Sequence, residues 1–76
     1  MITAAQYAAL GVRDRRALSL AAKFSAETLR YEGVGYHEPT DTAFDAVFTH
    51  RFVDRSDYPL IRRWFLSEFT PSADNT

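Results

Sequence analysis

The sequence predicts an all-α fold: a compact bundle of three main helices plus a short N-terminal helix. Three observations carry this. Phe44, Phe48 and Phe52 are spaced four apart, so each advances an α-helix by about 400° and the rings fall in one slowly drifting stripe. Arg15 to Tyr31 contains neither Gly nor Pro and is rich in Ala and Leu. No apolar–polar alternation is long enough to argue for a sheet.

The first helix starts at a Thr-x-x-Gln capping box, Thr3 with Gln6. Ile2 and Tyr7 stand at the two positions of a hydrophobic staple. Gly11 is placed to end it, giving about residues 4–10. Asp14 is the expected cap of the second helix, which Gly33 and Gly35 stop. That helix has two apolar stripes. Leu18, Ala21, Ala22, Ser25 and Leu29 share one; Ala17, Leu20, Phe24 and Tyr31 share the other. Burying both requires a central position in the bundle; otherwise one stripe faces a partner.

Residues 33–40 read as a loop, within which Val34 to His37 could be extended. Asp41 or Thr42 then caps a third helix expected to run to about Phe52. Ser56 or Asp57 opens a fourth, with Pro59 in its first turn and Pro71 stopping it near Thr70. On that helix Tyr58, Leu60, Ile61, Trp64, Phe65, Leu66 and Phe69 cover an arc of roughly 240°, far wider than an ordinary surface helix presents. The expected core is Leu18, Ala22, Leu29, Phe44, Val47, Phe48, Phe52, Ile61, Trp64 and Phe65. Residues 1–70 form one helical domain and 71–76 a disordered tail.

With 76 residues the chain holds one small domain, whose eleven aromatics partly offset its limited burial. Cysteine is absent, which excludes disulfides and thiolate metal sites. There is no transmembrane-length apolar run and no signal-peptide pattern, so a cytoplasmic protein without membrane contact is expected. A net charge of −1 gives no global attraction to nucleic acid. Eight Arg against one Lys, with many Ala, suits a GC-rich genome.

Chemistry-bearing patterns are few. His37, Glu38 and His50 lack the spacing of a metal site. Asp41, Asp45, Asp54 and Asp57 lie mostly at helix starts, where capping accounts for carboxylates. No nucleophile motif or phosphate loop is present. The expectation is a protein that is not an enzyme and carries no cofactor and no metal.

The run Ala-Ala-Gln-Tyr-Ala-Ala-Leu-Gly-Val-Arg-Asp-Arg-Arg-Ala-Leu, from Ala4 to Leu18, resembles the helix-turn-helix of many bacterial regulators. That resemblance implies a second helix in the major groove, with Arg13, Arg15, Arg16 and Ser19 facing DNA. It departs from the pattern at Tyr7, where a small residue is usual.

The leading expectation is a small non-enzymatic protein-binding module. A concrete version is a phage- or mobile-element-encoded inhibitor of a host defence complex, anti-CRISPR-like, with Asp41, Asp45, Asp54 and Asp57 imitating phosphates. Its contact residues would be Arg62, Arg63, Asp54, Asp57, Arg13, Arg15 and Arg16, since Arg beside Trp64 suits an interface. The alternative is a helix-turn-helix DNA-binding protein. An exposed stripe on the second or fourth helix would also suit a homodimer.

Overall fold

The computed structural model describes residues 2–32 and 38–69. Its architecture is the expected helical bundle: α1 (Ala4–Ala8), α2 (Val12–Glu32), α3 (Asp41–Phe48) and α4 (Tyr58–Glu68), with a 3-10 turn, Arg55–Asp57, leading into α4. No strand is present among the described residues. Nor is any described helix long and apolar enough to cross a membrane. The loop residues 33–37 and the tail from 70 onward lie outside the described residues, and with them the expectations for Val34 to His37 and for 71–76.

Helix α1 forms where its cap predicts. The Thr3 hydroxyl accepts from the Gln6 N–H at 3.0 Å, and the Gln6 side chain accepts from the Thr3 N–H at 2.8 Å. It ends at Ala8, two residues early, and buries no residue. Its link to the rest of the bundle includes the Ile2 N–H, which donates to Glu68 Oε1 at 2.7 Å.

Helix α2 begins at Val12, so Asp14 lies inside its first turn instead of capping it. Trp64 supplies the reason: its indole Nε1–H donates to Asp14 Oδ1 at 3.1 Å, drawing the carboxylate toward α4. The buried face of α2 is Ala17, Leu18, Ala21, Phe24 and Thr28, which draws on both expected stripes: Leu18 and Ala21 from one, Ala17 and Phe24 from the other. Alanines there let α4 approach closely, and α4 is the principal neighbour of α2. Thr28 is buried without penalty because its hydroxyl donates to the Ser25 carbonyl at 3.0 Å.

Helix α3 is capped by Thr40, whose hydroxyl accepts from the Ala43 N–H at 3.1 Å. Neither Asp41 nor Thr42 is the cap. The helix stops at Phe48. Phe44 and Phe48 are buried, whereas Phe52 lies past the end and is 98% exposed. The three-ring stripe is therefore a two-ring stripe.

The core is built around Phe24, which is wholly buried. Its ring meets Phe44 edge-on at 4.7 Å and Phe65 edge-on at 5.0 Å, with Phe48 at 6.4 Å. Tyr58, Ile61, Leu18, Ala17 and Ala21 complete it, and Val47, Trp64 and Phe69 pack against its edge. Of the expected core, Phe52 and Leu29 lie outside, Leu29 being 52% exposed. Ala22, Val47 and Trp64 are only partly buried. Phe24 and Tyr58 take the central places instead.

Candidate protein interface

Helix α4 turns Tyr58, Ile61 and Phe65 inward. Pro59, Arg62, Arg63 and Leu66, at positions i, i+3, i+4 and i+7, consequently share its outer face. With Ser67 they line an open hollow of about 630 Å³. Pro59 is exposed and Leu66 is 49% exposed. The floor is thus apolar and the walls are two guanidinium groups.

The two arginines differ. Arg62 is fixed: its Nε donates to the Pro39 carbonyl at 2.7 Å, its Nη2 bonds Asp41, and its guanidinium lies 5.3 Å from the Phe44 ring. Arg63 is exposed and rests 5.8 Å from the Trp64 ring. It makes no ion pair with a described residue.

The other expected contact residues form a second group, around the start of α2 and residues 52–57. Arg13 donates to Asp57 Oδ1 from Nε at 3.0 Å and approaches it from Nη2 at 2.9 Å. Asp57 thus makes no capping bond on α4, although it stands at the cap position. Asp54 does cap, accepting from the Ser56 N–H at 2.9 Å. That bond, chiefly, and to a smaller extent the positive charge of Arg13, hold its carboxyl below the usual range. Arg16 donates to the Phe52 carbonyl at 2.6 Å. Arg15 is half-buried and pairs with no described carboxylate. The structure therefore brings Arg13, Arg16, Asp54 and Asp57 together, and keeps Arg62 and Arg63 on another face.

Between α3 and α4 lies a charge-compensated network. Arg55 reaches Asp45 at 3.2 Å and Asp41 at 3.9 Å, and Arg62 pairs with Asp41. The Tyr58 hydroxyl donates to Asp45 Oδ1 at 2.7 Å. Burial first, then that hydrogen bond and the Asp45 charge, push the phenol up from 10.0 to about 12, with Arg55 opposing. A raised pKa stabilises the fold fully below the unfolded-chain value. Between about pH 10 and 12 the unfolded chain loses the proton while the folded chain keeps it, so stability falls. Asp45 is half-exposed, so solvent screening limits the loss to about 1 kcal/mol. Melting temperatures across this range should fall for the wild type and fall less for Tyr58→Phe.

Among the described residues no group of three His, Cys, Asp or Glu side chains could hold an ion. His50 and Glu38 are exposed, and His37 lies outside the described residues. Helices α1 and α2 are the two helices of the helix-turn-helix resemblance. Helix α1 buries no residue, and Arg13 and Arg16 are engaged with residues 52–57.

Phe52 is the residue that sequence reasoning misplaced. Residues 52–54 alternate as an extended segment does: Phe52 out, Val53 packed on the core, Asp54 out. A backbone anchor holds the segment: Arg16 Nη2 donates to the Phe52 carbonyl at 2.6 Å. The Asp54-x-Ser56 capping pattern was the signal that a new element starts here. No protein-family model, curated protein or solved structure matches the chain.

Proposed function

We propose that the protein is a non-enzymatic protein-binding module whose contact surface is the outer face of α4. The observation that supports this is the strip Pro59–Leu66, apolar along its floor and walled by Arg62 and Arg63. Arg62 is already immobilised by the fold, so little side-chain entropy is lost when a partner meets it. Arg63 and Leu66 are the side chains that a partner would desolvate. An apolar strip with flanking arginines suits a partner helix or groove of matching apolar character with carboxylates at its edge.

The inhibitor version gains no support from the geometry. Of the four carboxylates that would imitate phosphates, Asp41, Asp45 and Asp57 are paired with Arg62, Arg55 and Arg13. Neutralised carboxylates attract a nucleic-acid channel weakly. Duplex DNA binding through Arg13, Arg15 and Arg16 is likewise disfavoured, because two of the three are occupied internally.

The test is capture from nuclease-treated host lysate with tagged protein. The wild type should retain one stoichiometric protein. Leu66→Glu with Arg63→Glu should lose it while its thermal unfolding stays near wild type, since both side chains are exposed. An empty wild-type capture, or equal retention by the double variant, would overturn the reading.

A further inference from the structure

Trp64 joins the start of α2 to the outer face of α4. Its indole Nε1–H donates to Asp14 Oδ1 at 3.1 Å, and the Arg63 guanidinium lies over its ring, 5.8 Å from the centroid. The ring is half-buried: it packs against the core and lines a cleft with Ile2, Gln6, Leu10 and Glu68. The second side-chain torsion of Trp is broad, so an indole packed on part of its surface can tilt unless its N–H is held. Asp14 holds it. That carboxylate stands in the first turn of α2, where it also complements the helix dipole. The two neighbouring arginines thus come to order by different routes. Arg62 is fixed by bonds of its own, to the Pro39 carbonyl and to Asp41. For Arg63 the Trp64 ring takes that part.

We propose that Asp14 is a positioning residue for the α4 contact surface: by holding the Trp64 indole it sets the plane on which Arg63 rests. The proposal builds on the reading of that face as the contact surface. Asp14 does not line the hollow between Pro59 and Ser67, so it acts there through Trp64. A guanidinium stacked on an exposed indole face is favoured over its free rotamers roughly two- to fivefold. Stacked in advance, Arg63 loses less side-chain freedom when a carboxylate meets it. When the indole tilts, Arg63 returns to its free rotamers and the face loses a preset cation beside Leu66.

Nuclear magnetic resonance of the isotope-labelled full chain reads the result. The ring current of Trp64 should displace the Arg63 δ-proton resonances from their positions in the urea-unfolded chain, and the displacement follows the stacked population. Asp14→Ala should lower it roughly two- to fivefold. Asp14→Asn should retain it, because the amide oxygen accepts the same indole N–H. These two variants separate positioning from a helix-start role. Complementing the dipole needs the charge, which both variants lack; the indole bond is lost in Ala alone. In a Trp64→Phe background, which keeps a ring and removes the N–H, Asp14→Ala should change Arg63 no further. A wild type without the displacement, one unchanged in Asp14→Ala, one lost equally in Asp14→Asn, or a further change in the Trp64→Phe background would each overturn the proposal. No partner enters the measurement, so an empty lysate capture would remove the contact reading and leave this result standing.

Discussion

Phe24→Ala is expected to remove about half of the stability of this domain. Phe24 is the one ring that touches the other three, edge-on against Phe44 and Phe65 and tilted against Phe48. It is wholly buried, so truncation forfeits its full transfer free energy and leaves a cavity lined by rings from α3 and α4. Substitutions of this kind cost about 3–5 kcal/mol. At roughly 0.05–0.15 kcal/mol per residue, a chain this short has about 4–11 kcal/mol in total. A urea titration followed by circular dichroism should show the midpoint falling by about half. A loss under about 1 kcal/mol would mean that the core does not centre on this ring.

The second large effect separates two neighbouring arginines. Arg62→Ala should destabilise the fold by about 2 kcal/mol, whereas Arg63→Ala should change it by less than about 0.5 kcal/mol. Arg62 satisfies the Pro39 carbonyl, pairs with Asp41 and covers the Phe44 ring. Its removal strips the Pro39 carbonyl of this donor and loosens the entry to α3. Arg63 is exposed and lies over the Trp64 face. Thermal unfolding of both variants, read beside partner capture, assigns architecture to the first and contact to the second. Equal stabilities would contradict the fixed role of Arg62.

How far the sequence could be read follows from what each signal measures. Local signals worked. The Thr3 and Gln6 box started α1, and Pro59 took its place in the first turn of α4. The bundle class followed from composition and period. Periodicity alone could not say where α3 ends, because Thr49, His50 and Arg51 include no Gly or Pro and the four-residue spacing runs on through Phe52. The stop is tertiary: Arg16 holds the Phe52 carbonyl and Val53 packs on the core. The face of α2 was also undetermined by pattern. Two stripes looked equally apolar, and their adjoining edges, Ala17 and Phe24 from one and Leu18 and Ala21 from the other, became the core where small alanines admit α4. The exposure of Phe52 was out of reach for a related reason. A Phe is apolar wherever it stands, and only the helix terminus put this one in water.

Helix α1 has a consequence beyond its cap. Ile2 and Tyr7 form one wall of an apolar cleft of about 330 Å³ whose other wall includes Leu18, Ala22 and Phe69. The second wall belongs to the packed bundle. The first belongs to a five-residue helix that buries nothing of its own. Such a wall is set by a capping box and a few contacts, so it sits at the low end of the local stability range. The two walls therefore differ in what holds them: disturbing the α1 side breaks a capping box and a few contacts and leaves the aromatic centre intact.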